Sequence, residues 1–240
     1  MLPAFFISDA HLGCKDPQAD PQGEAKLIAL LKSWQGAASH LVLVGDVFEF
    51  WMEYKHYIAF EHWGFLRALA ELAESGVKVH ILKGNHDFAL GSFFPKYLGV
   101  EVHRELELTL QGKKVYFTHG DGLAAGDRSY RIMRRILDFP LNQYLFKLLH
   151  PDWGYALAQK VGGLSRKAGE GKCCPWGEYE AKAKQLLKKK NADVVVHGHT
   201  HIAQIATYPE GTHINCGNWL FDLNYIEFKN SIAQIKTYEE

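Results

Sequence analysis

The chain has 240 residues, a single-domain length, and a globule of that size removes roughly 70 to 75% of its unfolded surface from water. Its 27 basic and 27 acidic residues cancel, so no global basic field exists to recruit nucleic acid, and a makeup of 47% hydrophobic and 22% charged residues excludes the disordered, collagen-like and disulfide-scaffold classes. The four cysteines (Cys14, Cys173, Cys174, Cys216) are too sparse for a disulfide framework, and no signal peptide or span of 18 apolar residues is visible. These features predict a cytoplasmic protein with reduced thiols whose membrane contact, if any, is peripheral.

In chain order, Ala4 to Ser8, Leu41 to Val44, Val77 to Leu82, Val115 to Thr118 and Val194 to Val196 are short β-rich apolar runs, each followed by polar residues and glycine. Between the first three lie helical stripes: Leu27, Leu30, Leu31 and Trp34, then Phe65, Leu69 and Leu72. From Leu123 to about Lys190 no strand is predicted; Tyr130 to His150 and Glu178 to Lys190 read as helices, and the stretch of about 123–175 as a helical insertion into one domain of residues 1–240. Lys188, Lys189 and Lys190 read as a solvated helix end. Ile202 to Tyr238 alternates and is punctuated by Pro209-Glu210-Gly211 and Lys229-Asn230, which predicts antiparallel hairpins. The fold class is α/β with a sheet of mixed direction.

The polar residues just past the strands are of a restricted kind. Asp9 and His11 follow the first, Asp46 the second, Asn85, His86 and Asp87 the third, His119 the fourth, and His199 and His201 the fifth. Loops leaving the carboxyl ends of parallel strands converge on one crevice. Singly, each residue is explained by a cap, a turn or a surface histidine; five such pieces in this order are not. A spacing of two in Asp9-x-His11 and His199-x-His201 suits an extended segment that points both side chains one way. Seven oxygen and imidazole donors are too many for one tetrahedral ion and suit two cations sharing a carboxylate, with Mn²⁺, Fe²⁺ or Zn²⁺ matching the donor types. Phosphoester or phosphoanhydride hydrolysis is the corresponding reaction.

Asp9-Ala10-His11, Gly45-Asp46, Gly84-Asn85-His86-Asp87, His119-Gly120-Asp121 and Gly198-His199-Thr200-His201 resemble the motif blocks of the calcineurin-like metallophosphoesterases. That resemblance implies a four-layer α-β-β-α sandwich with a helical cap insertion. It also implies two divalent ions, Mn²⁺ first with Fe²⁺ or Zn²⁺ as alternatives. The first would be held by Asp9, His11, Asp46 and His201, and the second by Asp46, Asn85, His119 and His199. His86 would stabilise the phosphoryl transition state or protonate the leaving group, with Asp87 as the accompanying catalytic carboxylate. Gly45-Asp46-Val47-Phe48-Glu49-Phe50-Trp51 and His119-Gly120-Asp121-Gly122-Leu123, followed by Asp127 and Tyr130, are similar to UDP-2,3-diacylglucosamine hydrolases of lipid A biosynthesis. The best-known branch of those enzymes has Arg where His86 stands. This similarity implies a nucleotide-linked glycolipid substrate, cleaved to UMP and an acylated sugar 1-phosphate at the cytoplasmic face of the inner membrane. It implies substrate contacts from Asp127, Tyr130, Ser165, Arg166 and Lys167.

The insertion supplies its own argument for a lipid. Ile132, Ile136, Leu137, Phe139, Leu141, Leu145, Phe146, Leu148 and Leu149 outnumber what a short surface helix needs for packing, and Arg131, Arg134, Arg135 and Lys147 lie among them. An apolar cap with basic residues fits acyl chains beside an anionic headgroup. The alternatives are a phosphoesterase acting on soluble nucleotides or phosphoproteins, and a noncatalytic scaffold of the same fold.

Overall fold

The computed structural model describes residues 1–87, 89–123, 135–137, 139–169 and 176–239, with the side chains of 161–169 outside the description. Eleven strands occur among the described residues: β1 (Ala4–Ile7), β2 (His40–Leu43), β3 (Lys78–Leu82), β4 (Glu101–His103), β5 (Glu105–Leu110), β6 (Lys113–Thr118), β7 (Val194–His197), β8 (Ala203–Tyr208), β9 (Gly211–Cys216), β10 (Asn224–Lys229) and β11 (Ile232–Thr237). The helices are α1 (Gly23–Ser33), α2 (Trp63–Glu74), α3 (Pro140–Lys147), α4 (Pro151–Gly169) and α5 (Trp176–Lys190).

The strands form two sheets, ordered β11-β10-β1-β2-β3-β4 and β5-β6-β7-β9-β8. Alternation along β1 explains why they stack: Phe5 and Ile7 face one side, Ala4 and Phe6 the other. The first pair packs against α1 and α2, whose Leu27, Leu30, Leu31, Phe65, Leu69 and Leu72 are buried there, and Phe5 lies parallel to the Trp34 ring at 3.9 Å between centroids. The second pair joins Val42, Val44, Leu82, Phe117, Val196 and Ile214 between the sheets, where Phe6 meets the edge of Phe117 at 4.9 Å. Helix α5 covers the far face of the second sheet through Tyr179, Ala183 and Leu187, spaced by four. The layers are therefore α-β-β-α.

The two expected hairpins are present in different sheets. β8 and β9 turn at Pro209-Glu210; β10 and β11 turn at Asn230-Ser231, both left-handed at φ 53° and 62°, as a two-residue hairpin turn requires. β9 also pairs parallel to β7, so the second sheet is mixed. Three elements exceed the sequence expectation: β4, β5 and α4. Lys190 ties β5 to the end of α5 through Glu105 at 3.3 Å and Glu107 at 3.1 Å, so the lysine run is partly paired rather than only solvated.

Candidate metal centre

β1, β2 and β3 run parallel in one sheet and β6 and β7 in the other, and the loops that leave their carboxyl ends meet at one place. Backbone bonds lace these loops together: Asp9 N–H donates to the Gly45 carbonyl, His11 N–H to Asp46, Leu12 N–H to Val47 and Gly198 N–H to His119, at 2.9–3.1 Å. Within them Asp9, His11, Asp46, His199 and His201 adopt φ values of 54°, 43°, 51°, 67° and 60°. The expected extended pairs are therefore left-handed instead, although their side chains still converge. Non-glycine residues in this region carry roughly 1–3 kcal/mol of strain each and persist only where the surroundings fix them, which is a signature of functional sites. Two glycines permit the approach. At Gly45, φ is 91° and a Cβ would strike the His119 ring; at Gly84 a Cβ would collide with the Asp46 carboxylate.

Asp9, His11, His119 and Asp46 are each held by one atom and turn another toward the centre. Asp9 Oδ2 accepts from the Ser8 hydroxyl and from His199 N–H, the latter at 2.8 Å, whereas Oδ1 is buried without a hydrogen-bond partner. His11 Nδ1 lies 3.1 Å from Glu49 Oε2, and because a carboxylate only accepts, Nδ1 carries the hydrogen and Nε2 presents a lone pair. That Nε2 is also buried and without a partner. His119 Nδ1 donates to the Val44 carbonyl at 2.8 Å, which likewise leaves Nε2 toward the centre. Asp46 Oδ1 accepts from His86 N–H at 2.9 Å, while Oδ2 lies 3.7 Å from His11 Nε2 and 3.4 Å from His119 Nε2.

Two groups result, joined by a third. Asp9, His11 and His201 bring one ligating atom each within 4.8 Å of the others, Asp46, His119 and His199 do the same, and His11, Asp46 and His86 form a set of the same size across them. Asn85 Oδ1 adds to the second at 3.1 Å from His119 Nε2. Asp46 stands between them. Orphaned, buried Asp9 Oδ1 and His11 Nε2 aimed at a shared point are what a cation would satisfy, so the residues fit a pair of divalent ions.

His86 donates from Nδ1 to the Glu49 carbonyl at 3.0 Å, and its ring stands edge-on to His11 at 4.7 Å. Glu49, buried and in reach of both His11 and His86, had only its place in the Gly45–Trp51 run as a signal. Asp87 is placed otherwise than the motif suggested. Its Oδ2 accepts from Val47 N–H at 2.7 Å and its Oδ1 from Gly84 N–H at 2.8 Å, so it braces the loops from behind; the carboxylate near His86 is that of Glu49. Burial, reinforced by Asp46, raises Asp87 to about 6. His197 and His213 pair behind the centre through their Nε2 atoms at 2.6 Å, and Trp51 and Trp219 are core residues. Asp127, Tyr130, Arg131, Ile132, Arg134, Cys173 and Cys174 lie outside the described residues, as do the side chains of Ser165, Arg166 and Lys167.

Charge balance within the metal-free centre depends on protons. Burial opposes charging His119, yet the Asp46 and Asp9 carboxylates and the Val44 carbonyl outweigh it and raise the imidazole to about 9. Asp9 and Asp46 are held below the usual carboxylate range: burial works against them, but His201 and His119 prevail at Asp9, and His119 and His86 at Asp46. His199 is pushed down to about 4, by burial first and His119 second. Because His119 titrates higher folded than unfolded, its stabilisation is complete below about pH 6.5 and disappears as pH rises through about 9. The chelated chain is thus expected to lose up to about 3 kcal/mol between those limits. Thermal melts with saturating divalent cation should show that slope abolished, since the cation replaces the proton.

The Calcineurin-like phosphoesterase family profile matches residues 2–203. The chain belongs to that family. A UDP-2,3-diacylglucosamine hydrolase of Porphyromonas gingivalis is 37% identical over 169 residues, covering 69% of this chain and 64% of that protein. One from Neisseria meningitidis serogroup A is 32% identical over 222 residues, 91% of this chain and 90% of its own length. An archaeal phosphodiesterase structure aligns with TM-score 0.50 over 99% of this chain and 100% of the other, at 12% identity, and so shares the fold. Family membership implies divalent metal ions, for which the two groups are candidate ligands.

Proposed function

We propose that the chain hydrolyses the pyrophosphate bond of UDP-2,3-diacylglucosamine, giving UMP and 2,3-diacylglucosamine 1-phosphate for lipid A biosynthesis. The observation that carries this reading is the seating of an apolar helical surface beside the Asp46 centre. Phe50, next in sequence to Glu49, meets Phe146 of α3 at 5.7 Å and Tyr155 of α4 at 6.4 Å, and Gln159 donates to the Gly13 carbonyl at 3.2 Å. With that side engaged, Phe139, Leu141, Tyr144, Leu145, Leu148 and Trp153 are 52–72% exposed. Helix α3 buries no side chain. Acyl chains, and the bilayer that supplies them, are the natural cover for such a surface. No helix among the described residues is long and apolar enough to cross a membrane, and we assign the protein a peripheral place on the cytoplasmic face of the inner membrane.

In this reading Asp9, His11, Asp46 and His201 hold one cation and Asp46, Asn85, His119 and His199 the other, with Mn²⁺ preferred and Fe²⁺ or Zn²⁺ compatible with the same donors. Bound there, the pair supplies Lewis-acid polarisation of a phosphoryl group and activation of water. The chain's own residues do the rest. Glu49 and the Val44 carbonyl fix the tautomers of His11 and His119. His86, anchored through Nδ1, keeps Nε2 available to hold or release a proton at the departing oxygen. Asp127 contacts the sugar hydroxyls, Ser165, Arg166 and Lys167 the nucleotide or diphosphate, and Tyr130 is a further substrate contact. The insertion of about 123–175 is a cap on a single domain.

Mass spectrometry of products formed in ¹⁸O-water tests this. The expected result is UMP and acylated sugar 1-phosphate with label in UMP, marking attack at the α-phosphorus. The acylated substrate should exceed lipid-free UDP-glucosamine by at least about 100-fold in kcat/KM, the equivalent of burying only three or four methylenes. Equal rates on the two would transfer the protein to soluble nucleotides.

A further inference from the structure

A second set of metal-type donors lies on the strands rather than on the loops. His80 is in β3; Glu101 and His103 are the ends of β4, the three-residue edge strand paired parallel to it. Their side chains share one face. Val79, Ile81 and Val102 pack on the helical side of the sheet, so His80, Glu101 and His103, at alternate positions, face the other way. The register places His80 opposite Glu101 and Leu82 opposite His103.

Their separations form an equilateral triangle. His80 Nδ1 to His103 Nε2 is 3.3 Å, His80 Nδ1 to Glu101 Oε2 is 3.3 Å, and His103 Nε2 to Glu101 Oε2 is 3.3 Å. Charge-assisted hydrogen bonds between imidazole and carboxylate close to about 2.7–2.9 Å. Two ligand atoms at about 2.0–2.1 Å from a tetrahedral zinc stand about 3.3–3.4 Å apart, so this triangle has the dimensions of one face of a zinc tetrahedron. His80 Nε2 is buried without a partner, so the only polar engagement of that ring is at Nδ1, toward the triangle. Glu101, 66% exposed, gives a cation and a completing water access from solvent.

We infer that His80, Glu101 and His103 form a third metal site, separate from the Asp46 centre and selective for zinc-type ions. Two histidines and one carboxylate suit Zn²⁺ over Mg²⁺ or Ca²⁺, which prefer all-oxygen shells. The ion clamps the short edge strand β4 to β3, the strand that leads into Gly84-Asn85-His86, and so acts as a staple on the sheet edge.

The test uses the full chain, stripped with chelator, reloaded with Zn²⁺ and desalted, with zinc per chain measured by elemental mass spectrometry. Wild type is expected to hold one zinc more than Glu101→Gln or His103→Ala. Substituting Co²⁺ should give visible bands of a four-coordinate ion that both variants lose in part. Neither residue belongs to the Asp46 centre, so Mn²⁺-supported hydrolysis of an aryl phosphodiester should be unchanged in both, which also reports that they fold. Equal zinc content and equal Co²⁺ spectra in wild type and variants would overturn the site, whatever the substrate of the main centre proves to be.

Discussion

Replacing Asp46 with Ala is expected to lower kcat/KM by at least about 10⁴-fold, on the acylated UDP-sugar and on a generic aryl phosphodiester alike. The size follows from how many functions one side chain joins. Asp46 Oδ2 faces both His11 and His119 at 3.7 and 3.4 Å, so it is the one donor shared by the two groups. Oδ1 accepts from His86 N–H and thereby fixes the loop that also carries Asn85. Loss of the carboxylate removes a ligand from each group, leaves the raised His119 without its principal counter-charge and frees the His86 loop. Metal content measured on the same sample should fall with activity. Asp46→Asn separates charge from shape: it keeps an acceptor for His86 N–H but removes the counter-charge of His119, so without metal it should melt lower than wild type at neutral pH and lose the slope between about pH 6.5 and 9, while turnover still drops by about 10³-fold. Activity within about tenfold of wild type in Asp46→Ala would remove the basis for a shared centre.

The parts of the molecule legible in the sequence are those where one physical rule dominates. β1, β2, β3, β6 and β7 are buried on both faces and therefore read as apolar runs. Helices α1 and α2 bury one stripe and show the period of 3.6. β5 is not among the predicted strands, although Glu105-Leu-Glu-Leu-Thr-Leu alternates along it and its burial alternates in step, because its charges mask its strand character. β4 has three residues, too few for any period, and is defined by pairing with β3. The donors past the strand ends were legible by residue type; their left-handed backbone was not, because it is imposed by contacts between loops far apart in sequence. The roles of Glu49 and Asp87 show the same limit. Both are acids next to a motif, and only the chain's path decides that Glu49 turns toward His11 and His86 while Asp87 turns back onto the amides of Gly84 and Val47.

His86→Ala is expected to lower kcat by about 10²- to 10⁴-fold, the range of a positioned proton donor, with KM changed only a few-fold and metal content unchanged. The carbonyl of Glu49 can only accept, so His86 donates from Nδ1, and the nitrogen left for chemistry is Nε2. A ring tethered in this way, edge-on to His11 at 4.7 Å, is placed to serve a departing oxygen rather than to replace a ligand. A series of aryl phosphodiesters distinguishes proton donation from general stabilisation of phosphoryl charge. A nitrophenolate carries its own negative charge and gains little from a proton, whereas a more basic phenolate depends on one, so the loss in His86→Ala should grow with the basicity of the leaving group. A loss uniform across the series would assign His86 to the phosphoryl oxygens instead, and no loss would return it to bracing the Asp46 loop through its backbone N–H, the one contact that alanine retains.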